Sequence, residues 1–116
     1  RQREIYQIVL EAHDLCEQAL RPGVSLADLH RIAAGHIAAA GYGRYFNHYL
    51  GHYVGLHVHD PGSMRRPLEP GMVITIEPGI YLADDFGVRL EVDVYVDPNK
   101  GPQVTTPIQD EIVRLA

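Results

Sequence analysis

The sequence predicts an α+β domain in which two helices pack on an antiparallel sheet. In the first forty residues, apolar side chains recur at spacings of three and four, as they do in amphipathic helices. In the rest of the chain, short runs alternate apolar and polar residues, as half-buried strands do. Because the helices come first and the strands follow, one helical layer over one sheet is the expected arrangement. The 116 residues are enough to bury one core.

The two predicted helices have clear ends. The first spans residues 4–20, where one apolar stripe runs along the chain, and Arg21-Pro22-Gly23 ends it. The second spans residues 26–40. Ser25 and Asp28 form a capping box at its start, and the glycine at position 41 is a natural stop.

Three reactive side chains on these helices are interpreted as structural. Cys16 lies on the apolar stripe of the first helix and is expected in the core. It is the one cysteine of the chain, so no internal disulfide can form, and a reducing, cytoplasmic location is inferred. His30 and His36 have no carboxylate or cysteine at ligand spacing on the second helix. They are interpreted as packing or surface residues.

Alternation and β-branched residues predict the strands, and proline with glycine predicts the turns. In the clearest strand, residues 88–96, valine and leucine point one way while Arg89 and Glu91 point the other. Pro78-Gly79 is predicted to be the centre of a type II turn that holds Glu77 at the end of a strand. Three other strands are predicted: one that contains Val54, Leu56 and Val58, one over residues 72–77 and one over residues 80–82. A turn is predicted at residues 97–101, and a short strand follows it. A further turn is predicted at Glu69-Pro70-Gly71.

Composition argues against two classes of function. The net charge of −5 is unfavourable for a nucleic-acid binder, which needs positive charge to contact phosphates. No run of about 18 apolar residues occurs, so no membrane-spanning helix is expected.

The stretch HYLGHYVGLHVHDPG holds four of the seven histidines, at positions 48, 52, 57 and 59. Histidine and carboxylates together form hydrolytic metal sites, and two glutamates, Glu77 and Glu91, occur in strand patterns nearby. A glutamate within an apolar strand is costly if it is buried without a partner. One histidine with two glutamates would suit Mn²⁺, Co²⁺, Fe²⁺ or Zn²⁺ in a site that activates water.

Spacing alone leaves other interpretations open. Arg89 and Glu91 could pair on a solvated sheet face, and any one of the histidines could be structural. His48 and His52 would lie together on a helical turn, whereas strand parity places His57 and His59 on one face. Three classes therefore compete: a metal-dependent hydrolase, a binding module that has lost its chemistry, and a non-catalytic metal-storing or interaction domain.

Three ordered motifs decide between these classes. HYLGHYVGLHVHDPG, LEPGMVITIEPGIYL and GVRLEVDVYV resemble, in that order, the catalytic half of Xaa-Pro aminopeptidases and prolidases, which are metallopeptidases of the pita-bread (creatinase/aminopeptidase) fold. The first helices resemble the helical pair that precedes the histidine motif in that family. The resemblance covers Arg1 to about Val96. Methionine aminopeptidases share the fold but usually lack the triplet Val58-His59-Asp60, so they rank lower.

The resemblance implies metal ligands in this chain. His52 matches the metal-binding histidine of the family, Glu77 matches its metal-binding glutamate, and Glu91 matches the carboxylate that bridges two metals. Relatives commonly have an acid directly after that bridging glutamate, and here the position is Val92. The resemblance implies two divalent metal ions in the full enzyme, with manganese expected and cobalt, zinc or iron as alternatives.

The resemblance also implies substrate-contacting residues. His59 matches a histidine that lies near the scissile peptide and stabilises the tetrahedral intermediate. His48 and Tyr81 match residues that line the substrate pocket, and Arg89 matches an arginine beside the bridging glutamate. His48, His59 and Arg89 are the expected catalytic residues, and these three with Tyr81 are the expected substrate-binding set. His57 matches no role in the family.

Residues 1–116 therefore resemble the C-terminal part of a metallopeptidase catalytic domain. The family has two further ligands, aspartates on a hairpin upstream of the helical pair, and the N-terminal part of the domain is expected to be absent here. The expected substrate is a peptide with proline in second position, cleaved before the proline, and the full-length protein is expected to be a homo-oligomer. The alternatives are a prolidase, which accepts dipeptides, and a binding module that kept the fold.

Overall fold

The computed structural model describes residues 1–54 and 63–105, and it confirms the α+β class. Two helices precede all of the strands, as the sequence predicts. The elements are helices α1 (Gln2–Ala19) and α2 (Leu26–Ala39), two short 3₁₀ turns (Gly43–Tyr45 and Ser63–Arg65), and strands β1 (Val73–Ile76), β2 (Gly79–Leu82), β3 (Phe86–Arg89), β4 (Val92–Asp97) and β5 (Gly101–Val104).

The two helices pack against each other and fill much of the core. The predicted capping box is present: the Asp28 N–H donates to Ser25 Oγ over 3.1 Å, and the Ser25 N–H donates to Asp28 Oδ2 over 3.0 Å. Cys16 is fully buried, and its thiol donates to the carbonyl of Leu29 on α2 over 3.3 Å. Burial raises the pKa of this thiol to about 12, which agrees with its interpretation as a core residue.

The strands form two sheets, which corrects the expectation of one. Strands β1, β4 and β5 form an antiparallel three-stranded sheet, and β2 pairs with β3 in a separate two-stranded sheet. The predicted strand over residues 88–96 is therefore wrong as one element: it breaks at Leu90 and Glu91, where the chain leaves one sheet for the other. Val92, Val94 and Val96 are buried as their alternation predicts. The two-residue period continues through the break, so alternation could not reveal it.

The two Pro-Gly dipeptides behave differently. Gly71 has a φ of 95°, and the Met72 N–H donates to the Glu69 carbonyl over 3.2 Å, so the turn predicted there is confirmed. The type II turn predicted at Pro78-Gly79 is wrong, because that turn needs a positive φ at Gly79 and Gly79 has none. Gly79 instead begins β2 and pairs with Arg89. The chain does not reverse at this point because β1 and β2 belong to different sheets.

Residues 50–54 run beside β1 and extend its sheet on the side away from β4. The N–H groups of Thr75 and Glu77 donate to the carbonyls of His52 and Leu50 over 2.9 and 2.8 Å, and the Val54 N–H donates to the Val73 carbonyl over 2.9 Å. Val54 is thus in an extended segment, while Leu56 and Val58 of the predicted strand lie outside the described residues. Within residues 1–54 and 63–105, no helix is long and apolar enough to cross a membrane.

Gly51 is required by the closeness of this pairing. A Cβ atom at Gly51 would lie 1.9 Å from the carbonyl oxygen of Thr75, which is far inside van der Waals contact. Any other residue would push the 50–54 segment away from β1. Gly35, in the middle of α2, has nothing within 4 Å of the same hypothetical atom.

We expect Gly51→Ala and Gly35→Ala to change stability in opposite directions. Gly51→Ala should lower the free energy of unfolding by about 1–3 kcal/mol, the usual cost of forcing atoms into packed space. Gly35→Ala should raise it by roughly 0.5–1 kcal/mol, because alanine is the better helix former. Urea denaturation of both variants measures the two changes, and a neutral Gly51→Ala would contradict the pairing described above.

Candidate functional site

One cavity of about 560 Å³ collects five of the seven predicted site residues. It lies where the 47–52 segment meets the end of β1 and the two-stranded sheet. Its lining includes His48, His52, Glu77, Tyr81 and Arg89, together with Asn47, Tyr49, Gly51 and Met64. Residues from four separate stretches of sequence therefore share one opening.

His52 and Glu77 face each other in this cavity as two hydrogen-bond acceptors. His52 Nδ1 lies 2.8 Å from the carbonyl oxygen of Tyr53. A carbonyl only accepts, so Nδ1 carries the hydrogen and the neutral ring presents the lone pair of Nε2. That nitrogen lies 3.8 Å from Glu77 Oε2, a buried oxygen that has no hydrogen-bond partner among the described residues. Glu77 is only 15% exposed, so this arrangement is costly unless a proton, a water molecule or a metal ion lies between the two atoms.

His48 repeats the same local arrangement with a different partner. Its Nδ1 lies 2.8 Å from the carbonyl oxygen of Tyr49, its own following residue, just as His52 bonds to Tyr53. Its Nε2 lies 2.8 Å from Tyr81 Oη and accepts the hydroxyl hydrogen. His48 is therefore satisfied on both nitrogens by protein groups, whereas His52 is satisfied on one.

Tyr81 is held in place by glycines on its own sheet. A Cβ at Gly79 would lie 2.6 Å from Tyr81 Oη, and one at Gly87 would lie 2.8 Å from the ring. Gly79 lies two residues before Tyr81 on β2, and Gly87 is its cross-strand partner on β3. The ring can lie flat across the sheet toward His48 only because both neighbours lack side chains.

Arg89 lines the cavity, whereas Glu91 is not among its lining residues. Arg89 Nε is 3.9 Å from Glu91 Oε1, and both side chains are about half exposed. This is the weak surface pair that the sequence left open as an alternative. Among the described residues, His52, Glu77 and Glu91 do not form a group whose ligand atoms all lie within 4.8 Å of one another. Val92, which follows Glu91, has an apolar side chain that is buried, and it pairs with Ile76.

His57 and His59 lie outside the described residues, so the histidine expected beside the scissile peptide has no position here. The described residues of the motif show that His48 and His52 are not on a helical turn. They lie on an irregular segment that becomes extended at residue 50.

His30 on α2 supports this segment, a role that sequence reasoning missed. Its Nδ1 accepts the Leu50 N–H over 3.1 Å, and its ring stacks on Tyr49 with centroids 4.4 Å apart. His30 thus fixes the stretch between His48 and His52. Ligand spacing along the helix carried no signal for this contact, since the partner is a backbone group 20 residues away. His36 Nε2 instead lies 3.2 Å from Glu11 Oε1 in an exposed contact between the two helices, which agrees with its interpretation as a surface residue.

Comparisons with known proteins agree on one family. The model of metallopeptidase family M24 matches residues 1–98 of the chain. An uncharacterised peptidase of Staphylococcus aureus (strain MW2) is 48% identical over 108 residues, which is 90% of this chain and 30% of that protein.

Solved structures show the same likeness in three dimensions. The prolidase from Pyrococcus horikoshii OT3 matches with a TM-score of 0.86 and 44% identity, over 97% of this chain and 33% of that one. The X-Pro aminopeptidase from Thermotoga maritima MSB8 matches with a TM-score of 0.81 and 37% identity, over 92% and 32%. The chain thus spans about a third of the length of the relatives it matches.

The contact of His30 predicts a pH dependence of stability. Burial lowers the pKa of His30, and repulsion from nearby His48, when that ring is protonated, lowers it further. Below about pH 6.5, the ordinary pKa of histidine, the unfolded chain therefore binds a proton that the folded chain does not, and stability falls as the pH falls. We expect His30→Asn, whose amide oxygen can still accept the Leu50 N–H, to lose less stability than the unaltered chain between about pH 7.5 and 5.5. Urea denaturation at both pH values makes the comparison, and identical losses would contradict it.

Proposed function

The chain belongs to metallopeptidase family M24, and we propose that it supplies part of the active site of an Xaa-Pro aminopeptidase. A metallopeptidase of this family uses divalent metal ions and acts on peptides. The activity, substrates and partners of the whole protein are part of the proposal, because the chain spans about a third of its relatives. Residues 1–116 would form the C-terminal part of one catalytic domain.

The pair formed by His52 and Glu77 carries the proposal. A ring nitrogen with an available lone pair and a buried carboxylate oxygen without a partner face each other over 3.8 Å. Imidazole nitrogen and carboxylate oxygen are a donor set that suits Mn²⁺, Co²⁺, Fe²⁺ and Zn²⁺. The bond from His52 Nδ1 to the Tyr53 carbonyl fixes the ring and its tautomer, as the outer partners of metal-bound histidines do. The residues present therefore fit a metal ion.

Glu91 completes the ligand set that this chain would supply. Arg89 Nε lies 3.9 Å from Glu91 Oε1 and would orient this carboxylate as a bridging ligand. Manganese is the proposed metal, with cobalt, zinc or iron as alternatives. The family resemblance implies two further aspartate ligands that are not among Asp14 and Asp28 on the helices. For that reason, we expect the 116-residue chain alone to bind metal weakly and to show little or no peptidase activity.

The remaining residues would bind and polarise the peptide. When bound, the metal ions supply a nucleophilic water and positive charge at the reacting carbonyl. His48 accepts from the Tyr81 hydroxyl, so that oxygen, on a residue that lines the cavity, can itself accept a hydrogen bond from a peptide N–H. Arg89 offers a half-exposed cation for a substrate carboxylate. His59 would donate to the oxyanion that develops on the cleaved peptide. A peptide with proline in second position is the proposed substrate.

Prolidase is the second candidate, and the higher identity to a solved prolidase favours it. The named prolidase is 44% identical to this chain, whereas the X-Pro aminopeptidase is 37% identical. Both enzymes would need the same metal pair and differ in the length of substrate they accept. A non-catalytic module is disfavoured, because it would have no reason to keep the buried Glu77 oxygen without a partner. The cytoplasmic location and the homo-oligomeric state expected from the sequence stay predictions.

Metal binding at His52 and Glu77 can be tested in the 116-residue chain. Paramagnetic Mn²⁺ should broaden the imidazole NMR signals of His52. In Glu77→Gln, the same broadening should need at least roughly tenfold more Mn²⁺, since a direct ligand has been lost. Glu69→Gln is the matched control, because Glu69 is an exposed carboxylate that pairs with Arg66. Equal broadening in Glu77→Gln and Glu69→Gln would contradict the proposed site.

The substrate can be tested with the full-length protein loaded with Mn²⁺. Release of alanine from Ala-Pro-Ala supports the aminopeptidase. Cleavage of Ala-Pro alone supports the prolidase instead. Glu91→Ala should lower either activity by at least about a hundredfold, whereas the exposed Glu69→Gln should not. No hydrolysis of either peptide by a protein that binds two metal ions would overturn both candidates.

A further inference from the structure

A second group of potential metal ligands lies on α1. His13, Asp14 and Glu17 have ligand atoms that all lie within 4.8 Å of one another. None of the three lines the cavity that holds His52 and Glu77. His13 and Glu17 are one helical turn apart, so their side chains extend from the same face.

His13 is buried without any hydrogen bond. Its side chain is 0% exposed, and neither ring nitrogen has a hydrogen-bond partner among the described residues. Nδ1 lies 3.7 Å from Glu17 Oε2 and 3.9 Å from Asp14 Oδ1, and both distances are too long for a hydrogen bond. A buried polar ring without partners is costly, so this arrangement calls for a further group.

The charges around His13 also point to a cation. The His13 side chain is fully buried, and its Nδ1 is the ring atom that lies near both carboxylates. The ligand oxygens of Asp14 and Glu17 lie within 4.8 Å of each other and of that nitrogen. Two carboxylates, which repel each other when both are ionised, thus lie in front of the imidazole. A positive ion between them would remove the repulsion and give Nδ1 a partner.

We propose that His13 Nδ1, Asp14 and Glu17 bind one divalent transition-metal ion of the zinc type. Ligand atoms about 2.0–2.2 Å from a tetrahedral zinc ion lie roughly 3.4 Å apart, so the separations of 3.7 and 3.9 Å need only a small rotation of the two carboxylates. Both carboxylates are partly exposed, and with Gln18 and Pro102 they border a hollow that opens to solvent. The hollow gives the ion a route of entry and gives a water molecule the fourth position.

The ligand chemistry defines the class of ion. One imidazole with two carboxylates suits Zn²⁺, Co²⁺ or Mn²⁺, whereas Ca²⁺ and Mg²⁺ prefer oxygen alone. An ion with three protein ligands on a single helix, beside the start of β5, would have a structural role. It would stabilise the helix surface between α1 and the three-stranded sheet and would not take part in peptide cleavage.

Zinc binding tests the site in the full chain carrying His52→Ala, which removes a ligand of the other candidate site. Calorimetric titration should show one equivalent of Zn²⁺ bound. Glu17→Gln in the same background should weaken binding by at least roughly tenfold. Glu4→Gln is the matched control, since it removes an exposed carboxylate from the first turn of the same helix. Both substitutions are at exposed or half-exposed positions, so both variants should fold. They are used in place of His13→Gln, because His13 is in the core.

The imidazole ¹⁵N signals of His13 provide the second measurement. Zinc should shift Nδ1 and leave Nε2 protonated, because the carboxylates face Nδ1. The proposal is overturned if the His52→Ala chain binds no zinc. It is also overturned if Glu17→Gln and Glu4→Gln bind zinc equally, or if the His13 signals do not respond. Because His52 is already removed, failure here would leave the proposed peptidase site untouched.

Discussion

The candidate site depends on the close pairing of residues 50–54 with β1. Three backbone hydrogen bonds hold the two segments together, and the His52 N–H adds a fourth to Thr75 Oγ1 over 3.0 Å. Gly51 makes the approach possible, since any side chain there would meet the Thr75 carbonyl. In this pairing, the Glu77 N–H donates to the carbonyl of Leu50, which lies two residues before His52. A histidine and a glutamate 25 positions apart in the sequence thereby face each other.

Local geometry then determines what each histidine can do. His48 and His52 both donate Nδ1–H to the carbonyl of the following tyrosine, so both present Nε2 to the cavity. The Tyr81 hydroxyl satisfies one of these nitrogens, and the buried carboxylate of Glu77 faces the other. A hydroxyl can donate and a carboxylate cannot, which explains why both nitrogens of His48 have partners within the protein whereas Nε2 of His52 has none. His30 holds the backbone between them and limits how far either ring can move.

His13 and Glu77 show the same physical signature in separate parts of the molecule. Each has buried polar atoms without partners beside groups that accept hydrogen bonds, and native proteins rarely keep such atoms without a reason. Glu77 lies in a motif that resembles one of the family's motifs, whereas His13 is singled out by geometry alone. The ordinary interpretation of a buried helix histidine is a packing residue, and it would predict at least one hydrogen-bonded nitrogen in the described structure.

The sequence alone determined the elements whose signals are local. The two helices, the capping box of Ser25 and Asp28, the buried Cys16 and the turn at Gly71 depend on residues a few positions apart, and all were predictable. The order of three motifs was specific enough to identify the family and the α+β fold. The tertiary structure decided what depends on distant partners: the division into two sheets, the break at Leu90 and Glu91, the extended conformation at Gly79 and the support from His30. Alternation has the same period on both sides of a strand break, so the break cannot be predicted from it. The contact of His30 with a distant backbone N–H likewise has no counterpart in the spacing of residues along the helix. Only the folded chain shows these two features.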